Sequence, residues 1–193
     1  MRIRLLLLSS VLFLNNAYAA DYEIDSTHAN ASFSIRHLMV SNVKGDFANI
    51  AGKISYDEKS PEKSLVEATV EINTIDTKNQ KRDEHLKGGD FFDAAKFPLM
   101  TFKSKKVEKA GEGKLKAIGD LTIRGVTKEV ALDIEGPSAE IKDPWGNVKR
   151  GASATTTINR KDFGLTWNKA LETGGVAVGE EVKVVIDLEM TKK

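Results

Sequence analysis

Beyond residue 19 the chain alternates apolar and polar positions with period two, the signature of strands buried on one face. Ala31, Phe33, Ile35, His37 and Met39 share one face of the first such segment, and Ser32, Ser34, Arg36, Leu38 and Val40 share the other. Residues 43–56 continue less regularly, and Gly45 and Gly52 there permit the bends or bulges of a curved sheet. Past a turn at residues 57–61, Val66, Ala68, Val70 and Ile72 alternate with Glu67, Thr69, Glu71 and Asn73. Residues 99–107 and 114–124 form a predicted hairpin about Ala110-Gly111-Glu112-Gly113, closed by Gly125. Val130, Leu132 and Ile134 oppose Glu129, Ala131, Asp133 and Glu135, and Gly136-Pro137 interrupts them. Residues 142–150 are expected to be a long loop before a strand at 151–158. Val182, Val184, Ile186, Leu188 and Met190 alternate with polar neighbours in a closing strand.

One helix is predicted, over residues 78–87, opened by Asn79 and ended by Gly88-Gly89. It begins a stretch, residues 82–104, that packs Phe91, Phe92, Phe97, Met100 and Phe102 around one proline, Pro98, which breaks regular structure. The strand pattern is that of an all-β domain of about eight antiparallel strands, in a two-sheet sandwich or a closed barrel. Glycine at strand ends and within strands favours the barrel, where a sheet must curl.

The first nineteen residues stand apart: Arg2 and Arg4 precede an apolar run from Leu5 to Leu14, then Ala17-Tyr18-Ala19. These are the parts of a cleaved secretory signal, leaving residues 20–193 as a single exported domain. The run falls short of the roughly 20 apolar residues a membrane span needs, and no later stretch approaches that length. Losing Arg2 and Arg4 takes the formal charge from +1 to −1, so no basic excess is available for nucleic acid. There is no cysteine, so neither disulfides nor thiolate metal sites hold the fold.

Catalytic signatures are missing. No Gly-x-Ser-x-Gly elbow, His-Glu-x-x-His pair, P-loop or dinucleotide glycine pattern occurs, and no cofactor is expected. His28, His37 and His85 are the only histidines, and none has metal-ligand spacing to another. His37 is in phase with Phe33 and Ile35 and is expected to point inward. There it is either a core histidine bonded to a backbone carbonyl or to a neighbour such as Asp25, or a polar contact for a ligand head group in an apolar cavity.

Residues 31–47, ASFSIRHLMVSNVKGDF, resemble the opening of the YceI-like family of exported bacterial proteins. So do Arg82-Asp83-x-His85-Leu86, Asp90-Phe91-Phe92-Asp93, Phe97-Pro98-x-x-Thr101-Phe102, the run GDLTIRGV at 119–126, and Ile158-Asn159-Arg160-x-Asp162-Phe163-Gly164. The resemblance implies a lipocalin-like, eight-stranded antiparallel barrel around an apolar tunnel, in the periplasm, without agreed catalytic activity and dimeric in some members. It implies that the tunnel holds an isoprenoid or another long-chain lipid, such as a quinone, a prenyl phosphate or a fatty-acyl derivative. On that reading Phe33, Ile35, Phe47, Val70, Ile72, Phe91, Phe92, Phe102, Leu121, Ile123, Leu132 and Trp167 line the tunnel. Arg36 and His37 are the head-group candidates. The alternatives are an enzyme acting on a lipid in the same cavity, and an interaction protein whose barrel is filled by side chains.

Overall fold

The computed structural model describes residues 19–172 and 174–193; the expected signal sequence, up to residue 18, lies outside the described residues. Ten strands and one helix follow in the order β1 (Ala20–His37), β2 (Ser41–Phe47), β3 (Ile50–Tyr56), β4 (Leu65–Glu71), α1 (Gln80–Lys87), β5 (Leu99–Gly111), β6 (Lys114–Ile123), β7 (Val126–Glu135), β8 (Ile141–Lys142), β9 (Val148–Asn159) and β10 (Val178–Lys192). The strands pair in the order β10-β1-β3-β4-β5-β6-β7-β9, and β9 pairs with β10 to close an antiparallel barrel. β1 is long enough to pair with β3 through Ala20 to Glu23 and with β2 through Ala31 to His37. β2 and β3 are thus one wall element broken at Ala48-Asn49, giving eight staves, and β8 adds a short edge to β9.

The alternation predicted from sequence sets the inward faces, with one phase change. Tyr22 and Ile24 are buried at even positions, whereas Ala29 and Ala31 are buried at odd ones. Between them the register jumps from Ile24↔Met190 to Ala29↔Leu188, so Asp25 to His28 bulge out. Because the side-chain period is two, an odd insertion is what restores the apolar set to the interior. Two glycines allow close strand contact. A Cβ on Gly119 would lie 2.3 Å from the Lys103 carbonyl oxygen, and one on Gly52 2.2 Å from that of Glu67. Gly119 faces the irregular pairing between Ser104 and Lys106, where β5 bends.

α1 forms where its end signals lie. The Asn79 side chain accepts from the Arg82 N–H, and the Gly88 N–H donates to the His85 carbonyl. Three expectations change. β1 ends at His37, because Leu38 and Met39 enter a tight turn at φ 49° and 61°, so Met39 does not continue the inward face. Residues 142–150 are a hairpin joining β8 and β9, built on Asp143, whose Oδ1 accepts from the Trp145 and Asn147 N–H groups. Ile72 leaves β4 for a single 3-10 turn.

One end of the barrel is packed shut. Tyr22, Met190 and Val107 are almost completely buried. Beside them buried Arg150 donates to the Tyr22 hydroxyl, the Ser138 carbonyl and Glu58, and lies over the Tyr56 ring. Each hydrogen-bonding edge of that guanidinium is met, as burial of a charge requires.

Candidate functional site

The barrel interior holds a cavity of about 400 Å³, running from Met190, Val107 and Leu115 near the shut end to His37, His85 and Trp167 near the other. Side chains that the strand alternation turns inward make most of its wall: Phe33, Val66, Phe102, Leu121, Leu132, Ile186 and others. Alanines 31, 68, 117, 152 and 154 also line it. Small residues at these depths leave the room that larger ones would fill. The lining residues that are exposed at the α1 end, Arg36 and His85, mark the open side.

That end is partly covered by α1 and the connection to β5. Phe91 packs with Ile123, Phe163 and Leu165. The His85 ring meets Phe91 and Trp167 edge-on at centroid distances of 5.0 and 5.1 Å, and its Nε2 lies 3.0 Å from Asp90 Oδ2. Phe92 meets Phe47 edge-on at 5.7 Å. Arg124, in the β6–β7 turn, donates to the carbonyls of Gly164 and Gly89 and so ties this cover to the rim.

The charged groups lining the cavity are the cations Arg36, Arg82 and Arg160, beside the imidazole rings of His37 and His85; among the described residues no carboxylate lines it. Arg160 is buried and donates to the carbonyls of Gly179, Leu165 and Val178, which positions the rim of β10. Burial pulls its pKa below the ordinary arginine value. Arg82 donates to the hydroxyl and carbonyl of Thr77. Arg36 Nη2 donates to the Met39 carbonyl at 2.7 Å and stays exposed, so it is the cation with most freedom to meet a ligand.

The structure places Phe33, Ile35, Phe47, Val70, Phe91, Phe92, Phe102, Leu121, Ile123, Leu132, Trp167, Arg36 and His37 on the cavity wall. Ile72 is not on it: at the 3-10 turn it is 1% exposed, packed in the core with Ile50, Ile75 and Ala94. His37 is not bonded to Asp25, which lies in the bulge and bonds Thr27, His28 and Lys149 instead. Sequence reasoning missed His85, Arg160 and the β10 residues Val182 to Met190 as lining. The β10 alternation was a usable signal; His85 had none, since it arrives by the path of the cover. One cluster was also unforeseen: ligand atoms of Asp25, His28 and Glu189 lie within 4.8 Å of one another. The Lys149 ammonium already sits on it, 2.6 Å from Asp25 and 3.3 Å from Glu189.

A closed antiparallel barrel with an apolar interior, shut at one end and partly covered at the other, defines the class of single-domain barrels that can enclose a small apolar ligand. Within that class the family is identifiable: residues 22–190 match the YceI-like domain, and the chain belongs to that family. It is 38% identical over 171 residues to a UPF0312 protein of Staphylococcus aureus, covering 89% of this chain and 97% of that one. A YCEI protein of Campylobacter jejuni superposes with a TM-score of 0.68 at 38% identity, over 82% of this chain and 90% of that one. A polyisoprenoid binding domain from Saccharophagus degradans has the same fold, with a TM-score of 0.64 at 14% identity, over 91% and 99% of the two chains.

Proposed function

We propose that this protein holds an isoprenoid or similar long-chain amphiphile in its barrel, for storage or transport in the periplasm, and that it is not an enzyme. The cavity carries the reading: about 400 Å³ within an apolar wall, shut at one end, with cationic and imidazole groups and, among the described residues, no carboxylate along it. Each methylene moved from water into such a wall is worth about 0.8 kcal/mol, so ten buried carbons supply about 8 kcal/mol before ordering costs. Tail burial dominates affinity. Arg36 and His37 orient a polar or anionic head at the rim. The likeness in fold to a protein described as a polyisoprenoid binding domain supports the choice of ligand class. The cavity also weighs against a barrel filled by side chains.

Mass spectrometry of an organic extract of natively purified protein tests the proposal. One apolar molecule per chain is the expected result. A clean extract, together with no binding of added prenyl lipids, rejects it. Turnover of a bound lipid that His37→Ala abolishes would instead establish the enzyme reading, since a carrier loses only affinity or selectivity on that change.

A further inference from the structure

The turn between β1 and β2 combines three properties that rarely coincide. Leu38 and Met39 occupy consecutive left-handed positions, at φ 49° and 61°, and the Val40 N–H donates to the His37 carbonyl at 3.1 Å. His37 pairs with Ser41, so the loop is the three residues 38–40, and its two left-handed positions are ones that Asn and Gly adopt readily and that large apolar side chains disfavour. The side chains put there are largely open to solvent, although Met39 lies against Gly175: Leu38 is 42% exposed, Met39 51% and Val40 76%. Finally, the turn belongs to the cavity's open rim, since the adjoining Arg36 and His37 line the cavity and the Leu38 N–H donates to the carbonyl of Ala177, next to lining residue Val178.

Three cations stand near the turn outside any ion pair among the described residues. Arg36 adjoins it at the cavity rim, and Lys44 lies on β2 across from Ser34. Lys169 is fixed beneath the turn through its carbonyl, which accepts from the Ala177 N–H. Of the acidic residues on the facing segment, Glu180 is paired with Lys161, and Glu172 and Glu181 are exposed. Strained backbone that displays solvent-exposed apolar groups points to a binding role for them.

We propose that this turn is a membrane-docking tip: Leu38, Met39 and Val40 enter the interfacial layer of a bilayer while Arg36, Lys44 and Lys169 meet anionic head groups. The proposal rests on the lipid-carrier reading and adds the route by which ligand passes. A long-chain lipid leaving a bilayer crosses water unless the cavity mouth is set against the surface, and this tip holds the mouth there. Apolar insertion and attraction to anionic lipid reinforce each other in such surface binding, and each cation near an anionic surface is worth about fivefold in partitioning.

The test replaces the tip by its unstrained equivalent, Leu38→Asn with Met39→Gly and Val40→Ser, in protein expressed from the full-length sequence. Asn-Gly suits this turn, so the variant is expected to fold with undiminished thermal stability. Flotation with vesicles of phosphatidylethanolamine and phosphatidylglycerol should recover the unaltered protein, and weaker binding is expected to vesicles of phosphatidylcholine alone. The variant should partition at least about tenfold less and take up a vesicle-borne fluorescent prenyl lipid correspondingly slowly. Its equilibrium affinity for a soluble short-chain prenyl ligand should not change. Equal vesicle binding by the two proteins overturns the proposal, as does an unaltered protein that fails to float; the latter assigns the turn to a protein partner. A protein that floats but carries and binds no lipid overturns the carrier reading while leaving the docking tip in place.

Discussion

Ala154→Phe is the most direct probe of where a ligand's tail lies. Ala154 is on β9, buried at 8% exposure, with Ile186 of β10 and Ile134 of β7 as its paired neighbours, and all three line the cavity. The substitution puts a six-membered ring into space that a chain would occupy. If the ring displaces about five methylenes at about 0.8 kcal/mol each, binding weakens by about 4 kcal/mol, or about a thousandfold in Kd. Stability should move differently. An unfilled interior forgoes contacts at about 24 cal/mol per Å³, so the ring recovers some of that loss, against an overpacking cost of about 1–3 kcal/mol. The lipid-free variant is therefore expected to unfold at a urea concentration close to that of the unaltered protein. Displacement of a fluorescent isoprenoid measures the affinity, and Ala131→Phe, on the exposed face of β7, supplies a ring of the same size outside the barrel. A folded Ala154→Phe protein that binds a long-chain isoprenoid as tightly as the Ala131→Phe control would refute the placement of the tail in this cavity.

Two further outcomes follow from the cover and from the bulge. Phe91→Ala with Phe92→Ala removes the rings that pack against Trp167 and Phe47; faster lipid release in stopped-flow transfer is expected of a lid, whereas a stability loss near the 3–5 kcal/mol of a core aromatic truncation with unchanged release would mark a plug. Asp25 is held well below the usual carboxylate range, chiefly by the hydrogen bond from Lys149 and then by those from Thr27 and His28. A carboxyl whose pKa is depressed by folding contributes stability that is complete above its unfolded value, about 3.9, and is lost as pH falls below it toward the folded value. Asp25→Asn should therefore lower stability at neutral pH by about 1–2 kcal/mol and flatten the acid limb of urea unfolding below about pH 4; an unaltered pH profile would show that the bulge network contributes nothing.

Much of this molecule is legible without its fold. The alternation in β7 and β10 identifies their inward residues, because successive side chains on a strand point to opposite faces whatever the strand pairs with. Asn79 and Gly88 bound the helix for an equally local reason, since they satisfy backbone groups within one turn of themselves. The family resemblance covers nearly the same span as the domain match, residues 22–190. What alternation alone leaves undecided is how strands far apart in sequence meet. The bulge at Asp25 to His28 shifts β1's phase only because Ile24 and Ala29 must both face the interior opposite β10. Pairing of β9 with β10 turns a sheet into a barrel, and alanines from different strands leave room in the cavity they line. His85 reaches the mouth, and Ile72 turns from the wall into the core, through the paths of chain segments on which period two has no hold. The local geometry of each residue thus decided the elements and their faces, while closure, cavity and rim were decided by hydrogen bonding and packing between distant segments.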